Sequence, residues 1–131
     1  MKVLLDSHYV LWLAVDARKL KTKEKDFLAL PDLTFVVSSV SIWELRIKWQ
    51  SLQRKNKVSF GITPTELLKF WRGMGVEFAL LDPDLAVALL RDPLPHKDPF
   101  DHLLVLQAQE LGIKIFTRDD DVLTHPLAIS A

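Results

Sequence analysis

The stretch that decides the fold is DPFDHLLVLQAQELGIKIFTRD, at residues 98–119. Pro99 is typical of the first turn of a helix, and the apolar residues after it predict a helix that runs to Leu111 and ends at Gly112. The β-branched and aromatic run at 113–117 predicts a strand directly after this helix. A helix that leads into a strand is a repeating unit of α/β domains.

The same alternation extends along the rest of the chain. Strands are predicted at 3–5, 34–37, 76–81 and 113–117, with a possible short fifth strand at 127–129. Apolar spacing predicts helices at 8–15, 18–30, 38–52, 63–71, 82–90 and 99–111, with an irregular basic segment at 53–62. Alternating strands and helices form a parallel sheet with helices on both faces. We therefore predict a single α/β domain over residues 1–131 with a central parallel sheet of about four to five strands.

The composition is that of a compact domain, with 49% hydrophobic and 26% charged residues. The absence of cysteine excludes disulfides, thiolate metal sites and cysteine nucleophiles, and it is compatible with a reducing compartment. The N-terminal run lacks the small-residue cleavage site of a signal peptide, and no apolar run approaches ~20 residues. We therefore expect a cytoplasmic protein with no membrane partner.

The charges are balanced overall but grouped along the chain. The 17 basic and 17 acidic residues cancel, which by itself argues against a strong nucleic-acid surface. Basic residues nevertheless cluster at 18–25 and 46–57. Each basic cluster is equally compatible with a solvated helix face and with a contact surface for an anionic partner.

Four acidic residues lie where the chain is predicted to turn from strand to helix: Asp6, Glu44, Asp101 and Asp119. Because the carboxyl ends of parallel strands form the ligand crevice of an open α/β sheet, we expect these carboxylates to converge there. Clustered carboxylates repel one another unless a hard cation such as Mg²⁺ or Mn²⁺ neutralises them. The pattern predicts a metal-dependent phosphodiesterase in which the metal activates a water molecule.

Each of these acids also has an interpretation as a helix cap. Asp6 and Asp119 each precede a helix and could be its N-cap. Ser41–Glu44 has the S-x-x-E spacing of a capping box. Asp98 could cap the helix that Pro99 begins, with Asp101 in the first turn near the positive end of the helix dipole. Capping does not explain why acids, rather than Ser, Thr or Asn, occupy all of these positions.

Other catalytic motifs are missing from the sequence. His8, His96, His102 and His125 do not have metal-ligand spacing. His8 and His102 follow proposed ligands closely and could touch substrate, but we interpret them as ordinary surface residues. No serine lies in a nucleophile elbow, and no glycine-rich phosphate loop is present.

Three segments together resemble one known family: LLDSHYVLWL at 4–13, VSSVSIWELRIK at 37–48, and HKDPFDHLLVLQAQELGIKIFTRDDD at 96–121. They are similar to PIN-domain ribonucleases, and specifically to the VapC-type toxins of bacterial type II toxin–antitoxin pairs. One departure lies at 53–57, a basic segment without glycine where relatives often carry a G-[KR]-[LI] turn.

The resemblance assigns roles to the individual acids. Asp6 matches the first aspartate of the family and Glu44 its helix-borne glutamate. Asp101 matches the aspartate that opens the long helix, and Asp119 the aspartate after the T-R strand end. Asp98 matches an extra aspartate of the D-P-F-D subgroup and is either a metal ligand or a helix cap.

The family implies a three-layer α/β/α fold and an endoribonuclease that depends on Mg²⁺ or Mn²⁺. It also implies a homodimer and a small antitoxin protein that neutralises the toxin. We expect Asp6 and Asp101 to bind metal directly. Glu44 and Asp119 are expected to act through water, as a general base or as ligands of a second metal.

Two other classes of protein remain open on the residues alone. A receiver-like signalling module would need paired acids after its first strand, an Asp at the end of its third strand and a lysine after its penultimate strand. Here Asp6 stands alone, and Arg118 and Asp119 follow the IKIFT run where the lysine would be needed. A protein-binding module would use its acids only as caps. Several large apolar residues also suggest a groove for an antitoxin helix or a second copy: Trp12, Trp43, Trp49 and Leu52.

Overall fold

The computed structural model describes residues 1–57, 60–95 and 98–131. Its strands are β1 (Lys2–Leu5), β2 (Thr34–Ser38), β3 (Glu77–Ala79), β4 (Lys114–Phe116) and β5 (Ala128–Ile129). They form a parallel sheet in the order β3-β2-β1-β4-β5, so that β1 lies at its centre. The predicted parallel sheet of four to five strands is confirmed.

Helices cover both faces of this sheet. They are α1 (Ser7–Val15), α2 (Thr22–Leu28), α3 (Ser39–Arg54), α4 (Pro64–Gly73), α5 (Pro83–Val87), α6 (Pro99–Leu111) and α7 (Asp120–Leu123), with a 3₁₀ turn at Ala17–Lys19. Successive residues of β1 point to opposite faces, so Val3 and Leu5 pack in one core with α1, α2 and α4. Leu4 packs in a second core with α6 and α7. The fold is the expected three-layer α/β/α arrangement.

The segment at 98–119 folds as its sequence predicts. The Asp98 side chain caps α6 by accepting a hydrogen bond from the Phe100 amide at 2.9 Å. At the other end, Gly112 has φ 67°, a left-handed conformation that favours glycine and ends the helix. The chain then enters β4 beside β1.

The predicted helix at 18–30 is wrong in its first part. The structure has the 3₁₀ turn, then an extended residue, Leu20, and only then α2. The break is stabilised by Glu24, whose carboxylate accepts a hydrogen bond from the Lys21 amide at 2.7 Å. This local bond starts a new helix where a continuous one was expected.

Two further elements are shorter than predicted. The predicted strand at 76–81 is β3 alone, because β3 is an edge strand that pairs with β2 only as far as Ala79 opposite Ser38. The predicted helix at 82–90 stops at Val87, and Ala88 is extended. The side chain of Gln109 holds the chain beyond it, by donating to the Leu89 carbonyl at 3.0 Å and accepting from the Arg91 amide at 2.9 Å.

The basic segment predicted as irregular at 53–62 begins later than expected, because α3 continues through Arg54. Positions 58 and 59 of that segment, and His96, lie outside the described residues. Within the described ranges, no helix combines the length and apolar character needed to cross a membrane.

We predict that Trp71 contributes more to stability than the exposed Trp43. Trp71 is 1% exposed, and its indole N–H donates to the Val10 carbonyl at 2.9 Å, which joins α4 to α1. Trp71→Phe removes this bond and buried volume, so we expect a loss of about 1–3 kcal/mol in the free energy of unfolding, measured by urea denaturation. The matched Trp43→Phe, at a side chain that is 47% exposed, should change it by less than about 0.5 kcal/mol. Equal effects would contradict this packing.

Candidate active site

The site lies at the carboxyl edge of the sheet, where the strand order changes direction. From β1 the chain adds β2 and β3 on one side, and β4 and β5 follow on the other, so β1 and β4 flank the switch point. Ligands of open α/β sheets bind in the crevice at such a point. Asp6 directly follows β1, and Thr117 directly follows β4.

Asp6 is held at this point by the backbone and by its own side chain. Its amide donates to the Phe116 carbonyl of β4 at 3.0 Å. Carboxylate Oδ1 accepts from the Ser7 amide at 2.6 Å, and Oδ2 accepts from the Thr117 hydroxyl at 2.8 Å. The side chain is 7% exposed. Asp6 therefore caps α1 with one oxygen and is bound across the sheet by the other.

Glu44 reaches the same place from the second turn of α3. Its Oε1 accepts from the Ser7 hydroxyl at 2.7 Å, and its Oε2 pairs with the Lys48 ammonium at 3.0 Å. Ser41 Oγ lies 3.0 Å from the Ser7 hydroxyl oxygen. Like Asp6, Glu44 is 7% exposed. Ser7 thus bridges the two carboxylates, through its amide to Asp6 and through its hydroxyl to Glu44.

The capping-box interpretation of Ser41–Glu44 is wrong. The helix α3 begins at Ser39, and its N-cap is Ser38, whose hydroxyl oxygen accepts from the Val40 amide at 3.0 Å. Ser41 lies inside the helix, and Glu44 lies beyond the strand-to-helix turn where it was expected. Its side chain is therefore directed at Ser7 and Lys48 rather than at a helix end.

Asp119 is joined to Asp6 through a shared hydroxyl. Thr117, which is fully buried, donates to Asp6 and accepts from the Asp119 amide at 3.1 Å. The Asp119 carboxylate caps α7 by accepting from the Asp121 amide at 2.9 Å. Because it is partly exposed, we place it at the border of the crevice rather than on its floor.

Asp101 lies on the neighbouring helix start. It occupies the first turn of α6, directly after Phe100, and is partly exposed. The Phe100 ring packs edge-on against Trp43, with ring centroids 5.6 Å apart, which holds this turn beside the part of α3 that carries Glu44. The N-cap role considered for Asp98 is present.

The donor atoms at this edge suit a hard cation. They are carboxylate and hydroxyl oxygens, which Mg²⁺ and Mn²⁺ prefer as ligands. Within the described ranges, no three or more His, Cys, Asp or Glu side chains are arranged as a metal-binding group. What the structure brings together is a buried pair, Asp6 and Glu44, with Asp119 linked to it by one intervening side chain. The residues fit a divalent cation in chemistry and burial.

The electrostatics of Asp6 agree with such a pair. Burial raises the pKa of the Asp6 carboxyl above its ordinary value, and the nearby Glu44 carboxylate acts in the same direction. The Thr117 hydrogen bond and the nearby His8 oppose this rise without cancelling it. A buried carboxyl of this kind gains from a cation in the crevice.

Sequence reasoning did not find the hydroxyls of Ser7 and Thr117. Both are buried; Ser7 directly follows Asp6 after β1, and Thr117 follows β4 two residues before Asp119. A small hydroxyl residue within two positions of an acid at a strand end is the signal that could have identified them.

A second polar cluster lies behind α1. Arg118 Nε donates to Glu24 Oε2 at 2.9 Å, and Arg118 Nη2 and the Tyr9 hydroxyl also donate to this carboxylate. The guanidinium carbon lies 4.4 Å from the Trp12 ring centroid. Burial would raise the pKa of Glu24, but the hydrogen bonds from Arg118 and Tyr9 outweigh it and lower the pKa.

Comparison with known proteins identifies the family of this chain. The model of the PIN domain matches residues 3–125. The chain belongs to the PIN-domain family. Among solved structures, it is similar to a chain in the crystal structure of VapBC2 from Rickettsia felis bound to a DNA fragment from their promoter. The TM-score is 0.67 at 15% identity, with 100% of this chain and 98% of that chain covered, so the likeness shows the fold. The comparison with curated proteins gives no match.

PIN domains are generally nucleases and typically use divalent metal ions. Family membership therefore favours the nuclease interpretation over a receiver-like or purely protein-binding module.

We predict that the Glu24–Arg118 pair makes stability depend on pH in the acid range. Because the pKa of Glu24 is lower in the folded protein, its stabilisation is fully present above the unfolded pKa of about 4.3 and is lost as pH falls through the folded pKa. Glu24→Gln should therefore lower the free energy of unfolding by about 1.5–3 kcal/mol at neutral pH. This gap between the wild type and the variant should narrow below about pH 4.3.

Urea denaturation across pH measures this gap. The control is Glu77→Gln, which breaks the exposed pair with Lys2 and should cost less than about 1 kcal/mol. A gap for Glu24→Gln that stays constant from neutral pH into the acid range would contradict the assignment.

Proposed function

We propose that this PIN domain is a Mg²⁺- or Mn²⁺-dependent endoribonuclease and the toxin of a type II toxin–antitoxin pair. One observation carries the proposal. Two acids that are each 7% exposed, Asp6 and Glu44, are joined through Ser7 at the switch point of the sheet. Burying two carboxylates side by side costs free energy of folding, so their presence here indicates a functional role such as cation binding.

Each residue then has a proposed role, and the contacts of Asp6, Glu44 and Asp98 support theirs. Asp6 and Asp101 hold the cation, and the Ser7 amide and Thr117 hydroxyl fix the orientation of Asp6. Glu44 and Asp119 act through water, as general base or as further ligands. Asp98 caps α6 and thereby positions the turn that carries Asp101. When bound, Mg²⁺ or Mn²⁺ supplies a Lewis acid for the phosphodiester and stabilises negative charge on the reacting phosphate.

Glu44 is oriented for proton transfer by its own neighbours. The Ser7 hydroxyl donates to one carboxylate oxygen, and the Lys48 ammonium, half-exposed, lies against the other. These contacts fix the rotamer of Glu44 before substrate arrives, and a fixed geometry is one requirement for a general base. Lys48 also places a positive charge beside the crevice, where it would attract the phosphate backbone of RNA.

We predict that Asp6→Asn abolishes cleavage without unfolding the protein. Asn is as good an N-cap as Asp, but it lacks the charge that binds the cation. We expect more than about a 100-fold loss in Mn²⁺-dependent cleavage of RNA, with a stability change within about 1 kcal/mol.

The matched control is Asp82→Asn. Asp82 caps α5 by accepting from the Leu85 amide at 2.8 Å, at the edge strand β3 rather than at the switch point. This variant should cleave at the wild-type rate. The same rate in Asp6→Asn would mean that Asp6 is only a cap, and the nuclease assignment would fail.

The antitoxin is proposed to bind an apolar groove between α3 and α4. A cavity of about 450 Å³ is lined by apolar residues that include Trp43, Leu68 and Leu80, with the cationic side chains of Arg46 and Arg72. Such a groove fits an amphipathic helix with acidic residues along its border. The similar Rickettsia felis chain belongs to a VapBC2 complex, which supports a partner of this kind.

We predict that Leu80→Asp weakens this complex. Leu80 is 68% exposed in the isolated chain, and an added carboxylate in the groove would oppose an acidic partner. We expect at least a tenfold higher Kd for the proposed antitoxin, measured by isothermal titration calorimetry. Leu30→Asp, at a residue that is 49% exposed and outside the groove, is the control. Equal binding by the two variants would exclude this groove.

A homodimer is proposed to form through the apolar surface beside α5. Val87 is 79% exposed and Leu89 is 84% exposed, which is unusual for a surface that stays in water. We predict that Leu89→Glu converts a dimer into a monomer in size-exclusion chromatography with light scattering. A wild-type protein that is monomeric at all concentrations would contradict this proposal.

A further inference from the structure

An aromatic pair lies beside the carboxylates and has no part in the roles assigned above. His8 and Trp12 lie one helical turn apart on α1 and stack, with ring centroids 5.2 Å apart and planes inclined by 15°. His8 is exposed and is two residues beyond Asp6. An aromatic face is thus presented to solvent at the entrance to the crevice.

This pair rests on a rigid base. The Arg118 guanidinium lies 4.4 Å from the Trp12 centroid, and the Tyr9 ring contacts Trp12 edge-on at 5.9 Å. Arg118 is itself fixed, because Glu24 accepts from Nε at 2.9 Å and the Lys19 carbonyl accepts from Nη2 at 3.1 Å. A ligand that stacks here would lose little side-chain freedom, which favours binding.

Positive charge lies next to the pair. An open cavity of about 450 Å³ is lined by Trp12 together with Arg18, Lys19 and Asp16, which pairs with Arg18. A second cavity of about 500 Å³ is lined by Arg118, Lys21 and Lys23 with Glu24 and Asp120, so each lining has one more basic than acidic side chain. Aromatic faces next to cationic grooves are what single-stranded nucleic acid requires, because its bases stack and its phosphates need neutralisation.

A purely structural role does not account for His8. Trp12 is already held by Arg118 and Tyr9, so stacking by an exposed imidazole adds little to the fold. His8 is close enough to Asp6 to interact with it electrostatically, so its ring lies near the position where a phosphodiester would react.

We infer that His8 and Trp12 form a stacking platform for a nucleobase of single-stranded RNA and place the neighbouring phosphodiester at Asp6. The identity of the strand as RNA rests on the proposed function. The platform reads the face of a base rather than its edge, so it selects unpaired nucleotides over a duplex.

The test is a double-mutant cycle that combines substitutions at His8 with removal of single bases from the RNA. Binding is measured by fluorescence anisotropy in the Asp6→Asn background, which should not cleave, using a fluorescein-labelled single-stranded RNA and the same RNA with an abasic site at each position in turn. His8→Gln keeps hydrogen bonding but removes the ring, whereas His8→Trp keeps a stacking face. Since His8 is exposed, both variants should fold, which circular dichroism checks.

We expect His8→Gln to raise the Kd of intact RNA about tenfold and His8→Trp to restore it. Removing the base at one position should weaken RNA binding by the Asp6→Asn protein with His8 intact by a similar factor. The same abasic RNA should bind the His8→Gln variant no more weakly than intact RNA does. In cleavage by otherwise wild-type protein, His8→Gln should raise KM more than it lowers kcat. Unchanged binding by His8→Gln, or a loss that is the same for every abasic RNA, would overturn the platform.

Failure of the proposed function would look different. If wild-type protein with Mn²⁺ leaves RNA intact while the coupling between His8 and one base persists, the platform stands and the nuclease does not. If metal-dependent cleavage is observed without any such coupling, only the platform is overturned.

Discussion

Two carboxylates buried at the carboxyl edge of the sheet require hydrogen-bond donors, and the hydroxyls of Ser7 and Thr117 supply them. Thr117 binds Asp6 across the β1–β4 junction, and Ser7 binds Glu44 across the gap to α3. Because a buried ionised group without partners costs several kcal/mol, these bonds fix how the neighbouring elements sit together. Asp119 enters the same chain of bonds through its amide. The geometry of the crevice follows from the need to give the buried carboxylates of Asp6 and Glu44 their hydrogen-bond donors.

Much of the fold follows from local sequence signals, and the site follows from them only in part. Pro99 and Gly112 bound α6 because their backbone preferences act at their own positions. Leu20 is apolar and fits a helix, but a capping bond from Glu24 starts α2 just after it, and the apolar spacing does not reveal this break.

The candidate acids were proposed because parallel strands bring their carboxyl ends together. The contacts that organise them were not found, since they join residues far apart in the chain. The Ser7–Glu44 bond spans 37 positions, and the Thr117–Asp6 bond spans 111. Such bonds leave no periodicity in the sequence. The same is true of Arg118, which pairs with Glu24 on a helix 94 positions away.

The most direct test of the metal centre is anomalous diffraction from crystals soaked in Mn²⁺. The account predicts a manganese peak at the switch point of the sheet, in contact with the Asp6 carboxylate and lost in Asp6→Asn crystals. It also predicts that Lys48 moves away from Glu44 or shares it with the ion, because the cation takes over neutralisation of that carboxylate. Manganese bound only elsewhere on the surface, with the Asp6–Ser7–Glu44 bonds unchanged, would contradict the account.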